Sequence, residues 1–385
     1  MLKVHGDSGS EDRPGSRHVL AARSPGQLAA SVTVATNSLI HDAIQKMSSG
    51  GQRLLLVTDS ANRWVDFLTD ADLRAYAMAD LSLDQAVQAV LDHRQTPPPL
   101  DPHLTDSSAQ GEALRDLMNR RHVDFLVQAN GNREVIGLVT RDQWESPSLG
   151  DRGNGVEALI MAGGFGKRLR PLTVDVPKPM LPVGDRPVME WIIGRLVQTG
   201  IRTVHVATHF MPEKIMDHFG DGRRFGVQIR YVNEDRPLGT AGALSLVKTD
   251  KPLLVMNGDI LSEIDFHALV DYHHRSSAQM TVGVRKFDYQ VPYGVVESTG
   301  GLIRQIVEKP VLAFFVNAGI YLLEPEVRAR IPLGTRQDMP DLIRGLIADH
   351  GSVASFPILE YWLDIGKPVD YEQAQRDARQ GRFAA

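Results

Sequence analysis

The sequence predicts an α/β protein. Its C-terminal part reads as a doubly wound parallel sheet with an added mixed region, and its N-terminal part as a smaller duplicated unit. Three observations carry this. From Val156 onward, short apolar runs alternate with helix-patterned segments, as strand–helix units do. Before that point the chain matches itself at one constant offset, with Met47 falling on Met118, Leu55 on Leu126, Leu56 on Val127, Phe67 on Leu138 and Thr69 on Thr140. Between the two parts, Ser146 to Gly155 is turn-forming and has almost nothing to bury, so it reads as a linker. The expected organisation is a tail at 1–27, the duplicated unit at 28–146, a linker at 147–155 and the large domain at 156–385.

Composition bounds the chemistry. The 385 residues are 42% hydrophobic and 23% charged, a globular balance with room for separate cores. Lys+Arg is 42 against Asp+Glu 47, so the net charge is -5, and nucleic acid is disfavoured as a main partner. There is no cysteine, which removes disulfides, zinc fingers and cysteine nucleophiles. No apolar run reaches the ~18 residues of a membrane span. The polar stretch Met1 to Gln27 reads as a mobile tail of a cytoplasmic protein.

Each repeat of the N-terminal unit starts with a helix. Its first copy offers Leu39, Ile40, Ala43, Ile44 and Met47 as an apolar face. A strand follows at Leu54 to Val57, then a turn at Asp59 to Arg63, then a second strand ending at Thr69. Thr69-Asp70-Ala71-Asp72-Leu73 opens another helix.

In the large domain, Val156 to Met161 reads as a buried parallel strand by its apolar run, interrupted only at Glu157. Asp185-Arg186-Pro187 is expected to cap a helix with Val188, Trp191, Ile192 and Leu196 inward and Gly200 at its end. Strands are expected at Val204–Val206, Val227–Val232 and Pro252–Met256, and helices at Pro212–Phe219 and Thr240–Val247. After Met280 the pattern turns strand-rich, which suggests an added mixed sheet over a second substrate.

The chemistry sits where this layout places a ligand, at the carboxyl ends of the strands. Directly after the first strand runs Ala162-Gly163-Gly164-Phe165-Gly166-Lys167-Arg168-Leu169-Arg170-Pro171-Leu172-Thr173, followed by Pro177-Lys178-Pro179. Glycines let backbone N–H groups approach phosphate oxygens, and the basic residues supply charge. The spacing is neither that of a dinucleotide fold nor that of a Walker loop. Asp259 closes the apolar strand Leu253 to Met256, and Asp364 lies between Leu363 and Ile365. Two such aspartates suit one hard cation, or serve as a cap and a buried acceptor. The histidines carry no metal reading. His273 and His274 are adjacent, and His205 lies in a strand pattern.

These segments resemble the sugar-1-phosphate nucleotidylyltransferases. The likeness runs on through Glu234, Leu238-Gly239-Thr240-Ala241-Gly242, Asn257-Gly258-Asp259, Tyr293-Gly294, Glu308-Lys309-Pro310, Asn317-Ala318-Gly319 and Trp362-Leu363-Asp364-Ile365-Gly366. It covers about residues 156–378. The repeats of residues 28–146 resemble a tandem pair of CBS domains, and the combination is similar to bacterial guanylyltransferases of the glucosamine-1-phosphate and mannose-1-phosphate types. The resemblance implies a Rossmann-like nucleotidyltransferase domain that joins a nucleoside monophosphate to a sugar 1-phosphate with Mg²⁺ as cofactor. It implies that Arg168 and Lys178 are catalytic phosphate contacts and that Asp259 and Asp364 hold the metal. Ala162, Gly163, Gly164, Gly166, Glu234, Gly239 and Thr240 would line the nucleotide. Tyr293, Gly294, Glu308, Lys309, Asn317 and Gly319 would line the sugar phosphate. The CBS likeness implies an adenine nucleotide at Thr69 and Asp72, and a homo-oligomer. The second repeat departs from that pattern, with Gln143 in the place of the second Asp and Asp142 beside it; the first has Asp66 where Gly is usual.

The reaction class agrees with the residue types. The attacking phosphate oxygen is already an anion, so alignment and charge neutralisation suffice and no general base is needed. Glu234 stands where the family places its base-reading side chain. An ionised carboxylate only accepts hydrogen bonds, and guanine alone offers two adjacent donors, so GTP is favoured over UTP, dTTP or CTP. Glu234 facing solvent or pairing with Arg236 is the other reading. A catalytically silent regulatory subunit of the same fold is the rival class, and it would be expected to lose one of Arg168, Lys178, Asp259, Lys309 or Asp364.

Overall fold

Alternating inward positions on the central strands bury both faces of one sheet, and that sheet organises the molecule. The computed structural model describes residues 32–50, 53–79, 81–94, 125–129, 135–140 and 155–383. The tail, Met118, Asp142, Gln143 and the linker up to Asn154 lie outside the described residues.

The N-terminal unit contains β1 (Thr33–Ala35), α1 (Ile40–Gly50), β2 (Leu54–Thr58), β3 (Trp64–Thr69), α2 (Asp70–Met78) and α3 (Val87–His93). β1 runs parallel to β2, and β2 antiparallel to β3. Ile40, Ala43, Ile44 and Met47 are buried against Leu55, Val57, Leu68 and Leu73. Leu39, expected on that face, is 46% exposed, because it precedes the first turn of α1 and makes a bridge to Ala86 instead. The turn before β3 closes on Asp59, whose Oδ1 accepts from Ala61 N and Arg63 N, both at 2.9 Å.

A second hairpin, β4 (Phe125–Ala129) and β5 (Val135–Thr140), repeats the β2–β3 pairing. Leu54 faces Thr69 in the first ladder and Phe125 faces Thr140 in the second. The registers slip at corresponding steps, Val57/Thr58 and Gln128/Ala129.

The large domain begins with β6 (Glu157–Met161), a short β7 (Pro182–Val183) and β8 (Arg186–Pro187), then α4 (Val188–Gln198). The helix expected from Asp185 therefore starts at Val188, because Arg186 and Pro187 pair with β7 first. There follow β9 (Thr203–Thr208), α5 (Pro212–Phe219), β10 (Gln228–Asn233) and the single turn α6 (Gly239–Gly242). The helix expected over Thr240–Val247 is this turn plus a 3-10 segment at Ala243–Leu246. Next are β11 (Leu253–Asn257), β12 (Ile260–Ser262), α7 (Phe266–Arg275), β13 (Met280–Gln290), β14 (Val295–Thr299), β15 (Leu302–Val307) and β16 (Val311–Leu323). The chain ends with α8 (Pro325–Ala329), α9 (Met339–Ala348), β17 (Val353–Pro357), β18 (Trp362–Asp364) and α10 (Pro368–Arg379).

Seven strands form the main sheet in the order β10-β9-β6-β11-β16-β13-β17. β16 runs antiparallel to β11 and β13, and the other neighbours are parallel. The mixed region is thus part of the main sheet rather than a separate layer. The β14–β15 hairpin stands apart from it, between β13 and β16 in the chain, as do the small β7–β8 and β12–β18 ladders. Ala158, Ile160, Leu254 and Met256 face α4, α5 and α7, while Leu159, Leu253 and Val255 face Leu244 and α9. Strands buried on both faces read as near-continuous apolar runs, which is why β6 and β11 were legible. Among the described residues no helix is long and apolar enough to cross a membrane.

Candidate active site

Two neighbouring parallel strands, β6 and β11, end side by side, and the turns at their carboxyl ends form the site. After β6 the chain enters the glycine loop. Ala162 is buried and donates to Ala207 O at 2.8 Å, which anchors the loop to β9. A Cβ on Gly163 would lie 3.1 Å from Glu234 Oε1 and 3.3 Å from His209 Cβ, so only hydrogen fits comfortably there. A Cβ on Gly164 would meet nothing within 4 Å, so its backbone faces open space. Gly166 has a φ of 63° and packs its α-carbon against Thr173, whose Oγ1 donates to Gly166 O at 2.8 Å. That turn delivers Lys167 and Arg168 on a 3-10 segment.

After β11, Gly258 N donates to Met161 O at 2.9 Å, which closes the two strand ends together. A Cβ on Gly258 would lie 2.8 Å from that carbonyl. The turn presents Asp259. Asp364 arrives from β18, which pairs antiparallel with β12, Ile260 facing Asp364. Ile365 N donates to Asp259 O at 3.0 Å, so the two aspartates are neighbours across this small ladder.

Lys178 stands between them. Its buried ammonium donates to Asp259 Oδ2 and lies 3.9 Å from Asp364 Oδ1. Burial and the Asp259 carboxylate push the Asp364 pKa up, with Lys178 and Arg168 pulling the other way. The Arg168 guanidinium is close by. A Cβ on Gly366 would lie 3.3 Å both from Arg168 Nη2 and from Asp364 Oδ1. Asp259 Oδ1 and Asp364 Oδ1 are buried and have no hydrogen-bond partner. Orphaned carboxylate oxygens on two neighbouring aspartates are hard donors of the type a divalent cation takes, so the residues fit one. Among the described residues no group of three or more His, Cys, Asp and Glu is assembled for a metal.

Glu234 follows β10 and is 8% exposed. Its Oε2 accepts from Leu238 N at 2.9 Å, and Arg236 turns away to Gly334 O, so neither the solvent nor the Arg236 reading describes it. Burial raises its pKa, against the Leu238 N–H and His209. His209 Nδ1 lies 2.8 Å from Glu234 O and its ring stands edge-on to Phe165. Gly239, with a φ of 79°, is pinned against the 337–339 segment, where a Cβ would lie 2.5 Å from Gln337 O. Thr240 N donates to Asp338 Oδ1 at 3.2 Å, and Thr240 Oγ1 accepts from Met339 N at 2.8 Å. Gln337 and Asp338 were not singled out by sequence; no motif marks them, and only the fold brings them here.

The sugar-phosphate candidates fall into two groups. Gly319, with a φ of 71°, packs against Asn257 at the start of the aspartate turn, and Asn317 Oδ1 accepts from Gly319 N at 3.0 Å. This joins Asn317 and Gly319 to the site and adds Asn257, which sequence reading left unassigned. Tyr293, Gly294, Glu308 and Lys309 assemble on the outer arm instead. Lys309 N donates to Tyr293 O at 3.3 Å, and Glu308 Oε2 lies 2.9 Å from where a Gly294 Cβ would be. Lys309 has a φ of 46°, a backbone state that costs a side-chain-bearing residue free energy and clusters at functional sites.

In the N-terminal unit, Thr69 and Asp72 form a capping box at the start of α2. Thr69 Oγ1 accepts from Asp72 N at 3.2 Å, and Asp72 Oδ2 accepts from Thr69 N at 2.9 Å. The Asp72 carboxylate also takes Arg94 Nε at 3.1 Å and Nη2 at 2.9 Å. A ribose there would have to displace Arg94. Thr140, the counterpart of Thr69, closes β5.

Residues 157–381 match the family model described as nucleotidyl transferase. Among curated proteins, the chain is 37% identical over 227 residues to "Probable mannose-1-phosphate guanylyltransferase 1" of Oryza sativa subsp. japonica. It is 35% identical over 227 residues to the mannose-1-phosphate guanyltransferase of Kluyveromyces lactis. In each case 56% of this chain matches 63% of the relative, so the chain spans less than two thirds of the relatives' length.

Proposed function

Because the chain belongs to the nucleotidyl transferase family, we propose that it transfers GMP from GTP to a sugar 1-phosphate, giving a GDP-sugar and pyrophosphate. Mannose 1-phosphate is the first acceptor to test, since the curated relatives carry it in their names, and glucosamine 1-phosphate the second. The observation that carries the reading is the Lys178–Asp259–Asp364 cluster beside an open glycine loop. Arg168 and Lys309 accompany it in the sequence, so no residue expected to be lost from a silent subunit is missing.

In the proposed reaction a sugar-phosphate oxygen bonds to the α-phosphorus of GTP. The bond from that phosphorus to the bridging oxygen breaks, and pyrophosphate leaves with the electron pair. Lys178 neutralises charge building on the α-phosphate, and Arg168 the charge on the leaving β,γ-phosphates. Backbone N–H groups of the Gly163–Gly166 loop hold the triphosphate. Asp259 and Asp364 would hold Mg²⁺, which when bound supplies further charge neutralisation at phosphate oxygens. Glu234 accepts from the guanine N1–H and 2-amino group with the oxygen not taken by Leu238, while Gly239 and Thr240 shape the same wall. Lys309 and Glu308 on the arm, with Tyr293 and Gly294, hold the acceptor as Asn317 and Gly319 line its inner side.

For residues 28–146 we propose a CBS-like pair that binds one adenine nucleotide at Thr69 and Asp72 and promotes self-association. The matched registers of the two hairpins support the duplication on which this rests. Incubating the protein with each NTP and a panel of sugar 1-phosphates, and assaying pyrophosphate, tests the main reading. Release with GTP and one acceptor is expected; no release with any pair would reject it.

A further inference from the structure

Among the contacts between the N-terminal unit and the large domain is one buried guanidinium. Arg74, on α2, is 4% exposed. It forms a two-pronged pair with Asp70 in its own helix, Nε to Oδ2 at 2.8 Å and Nη2 to Oδ1 at 2.9 Å. Nη2 also donates to Glu360 Oε1 at 2.8 Å, Nη1 donates to Pro357 O, and the group stacks 4.0 Å over the Phe356 ring. All three partners outside its helix belong to the end of β17 and the segment leading to β18.

Other contacts on that segment come from the large domain itself: Ile358 N donates to Val284 O at 2.8 Å, and Asp265 N donates to Glu360 Oε1 at 3.4 Å. Glu360 is buried, and its Oε2 accepts from Leu359 N at 3.0 Å. The carbonyls of Ile358 and Glu360 both accept from Arg285 Nη1, at 2.8 and 2.9 Å. Leu359 packs into the core of the N-terminal unit rather than that of its own domain. Immediately beyond, Tyr361 O accepts from Glu263 N at 2.9 Å and the chain becomes β18, which ends in Asp364. A buried carboxylate needs a partner, and removing that partner forces the segment to rearrange or to bring in water.

We propose that Arg74 is a positioning residue for the active site: by holding Glu360, Pro357 and Phe356, it sets the entry of β18 and so the placement of Asp364 beside Asp259. A second, more exposed arginine contact also joins the N-terminal unit to the large domain. Arg53, just before β2, pairs with Asp271 on α7 and lies 3.7 Å from Asp265 at the start of that helix. The N-terminal unit is then a structural part of the catalytic geometry, whether or not it binds a ligand of its own.

The kinetic part of the test rests on the proposed transferase reaction; the structural part does not. In the full chain, Arg74→Met should raise amide hydrogen exchange in 358–366 at least ~5-fold, leaving β6 and β9 unchanged. It should lower kcat at least ~5-fold, with the KM for GTP changed less than ~2-fold. Arg74→Lys keeps the charge but cannot span the three partners, and Glu360→Gln keeps the shape; both should show the same pattern in weaker form, and they serve should Arg74→Met fail to fold. Unchanged exchange in 358–366 in the folded variants would overturn the proposal, as would raised exchange with unchanged kcat. A wild-type chain without transferase activity would reject the functional reading, while the exchange result would still decide whether Arg74 holds the segment.

Discussion

The ammonium of Lys178 donates to Asp259 and stands 3.9 Å from Asp364, joining three residues from distant parts of the chain in one charge cluster. One lysine does not satisfy two carboxylates. Oδ1 of each aspartate remains buried without a hydrogen bond. Such a cluster is costly for a fold to keep unless it has work to do, and a carboxyl with a raised pKa, as at Asp364, is of the kind that concentrates at functional sites.

Replacing either aspartate removes charge with little change of shape. Asp259→Asn and Asp364→Asn should each cut turnover at least ~10²-fold, a loss of about 3 kcal/mol of transition-state stabilisation. Steady-state rates with saturating divalent cation, on variants with normal circular dichroism, check this. Near-normal turnover in either would remove that residue from the catalytic account.

Base choice is tested at Glu234. Gln keeps an oxygen for the Leu238 N–H but can also donate, so Glu234→Gln should lower kcat/KM for GTP relative to UTP and dTTP by ~10-fold or more, the discrimination of a good paired contact. An unchanged ratio would mean that Glu234 only braces the loop.

Much of this was legible because the strands that position the site are buried on both faces and therefore write apolar runs into the sequence, as at 158–161 and 253–256. The glycines were legible for a related reason: a Cβ on Gly163 would crowd Glu234 and His209, and one on Gly258 would meet the Met161 carbonyl at 2.8 Å. Other features left no local signal. Arg186 and Pro187 have the look of a helix start, yet pairing with β7 captures them first. The pattern Thr69-x-x-Asp72 is shared by a ribose grip and a capping box, and only the Arg94 contacts separate the two. Gln337, Asp338, Arg74 and Glu360 act through long-range contacts that no spacing encodes.

The closeness of Gly258 to its neighbours makes a structural prediction. In Gly258→Ala the new methyl would meet Met161 O at 2.8 Å and Pro179 Cγ at 3.1 Å. Overpacking of this kind costs about 1–3 kcal/mol. Denaturant unfolding should show that loss, and turnover should fall with it because the displaced turn carries Asp259. A variant as stable and active as wild type would contradict the packing.

Stability should depend on pH through His273. It is 1% exposed between Thr281 and Glu324, and burial lowers its pKa despite Glu324, with His274 acting in the same direction as burial. The unfolded chain therefore binds this proton more readily than the fold. The contribution is complete above the ordinary histidine pKa of about 6.5 and is lost as pH falls below it. His273→Gln should flatten the stability–pH curve between pH 6.5 and 5 by at most about 1.4 kcal/mol per pH unit. Identical slopes would exclude the effect.

The N-terminal proposal is checked by calorimetric titration of the full chain with AMP, ADP and ATP. About one equivalent of binding is expected, lost in a folded Asp72→Ala variant. No heat at millimolar nucleotide would leave Thr69 and Asp72 as a helix cap alone.

The central claim is group transfer at the Lys178–Asp259–Asp364 cluster. Mass spectrometry of a reaction with GTP, mannose 1-phosphate or glucosamine 1-phosphate, and Mg²⁺, paired with a pyrophosphate assay, addresses it most directly. The account predicts a GDP-sugar and pyrophosphate in equal amounts, reduced at least ~10²-fold in Asp259→Asn. GTP that stays intact with every acceptor, or a product that forms equally well in Asp259→Asn, would contradict it.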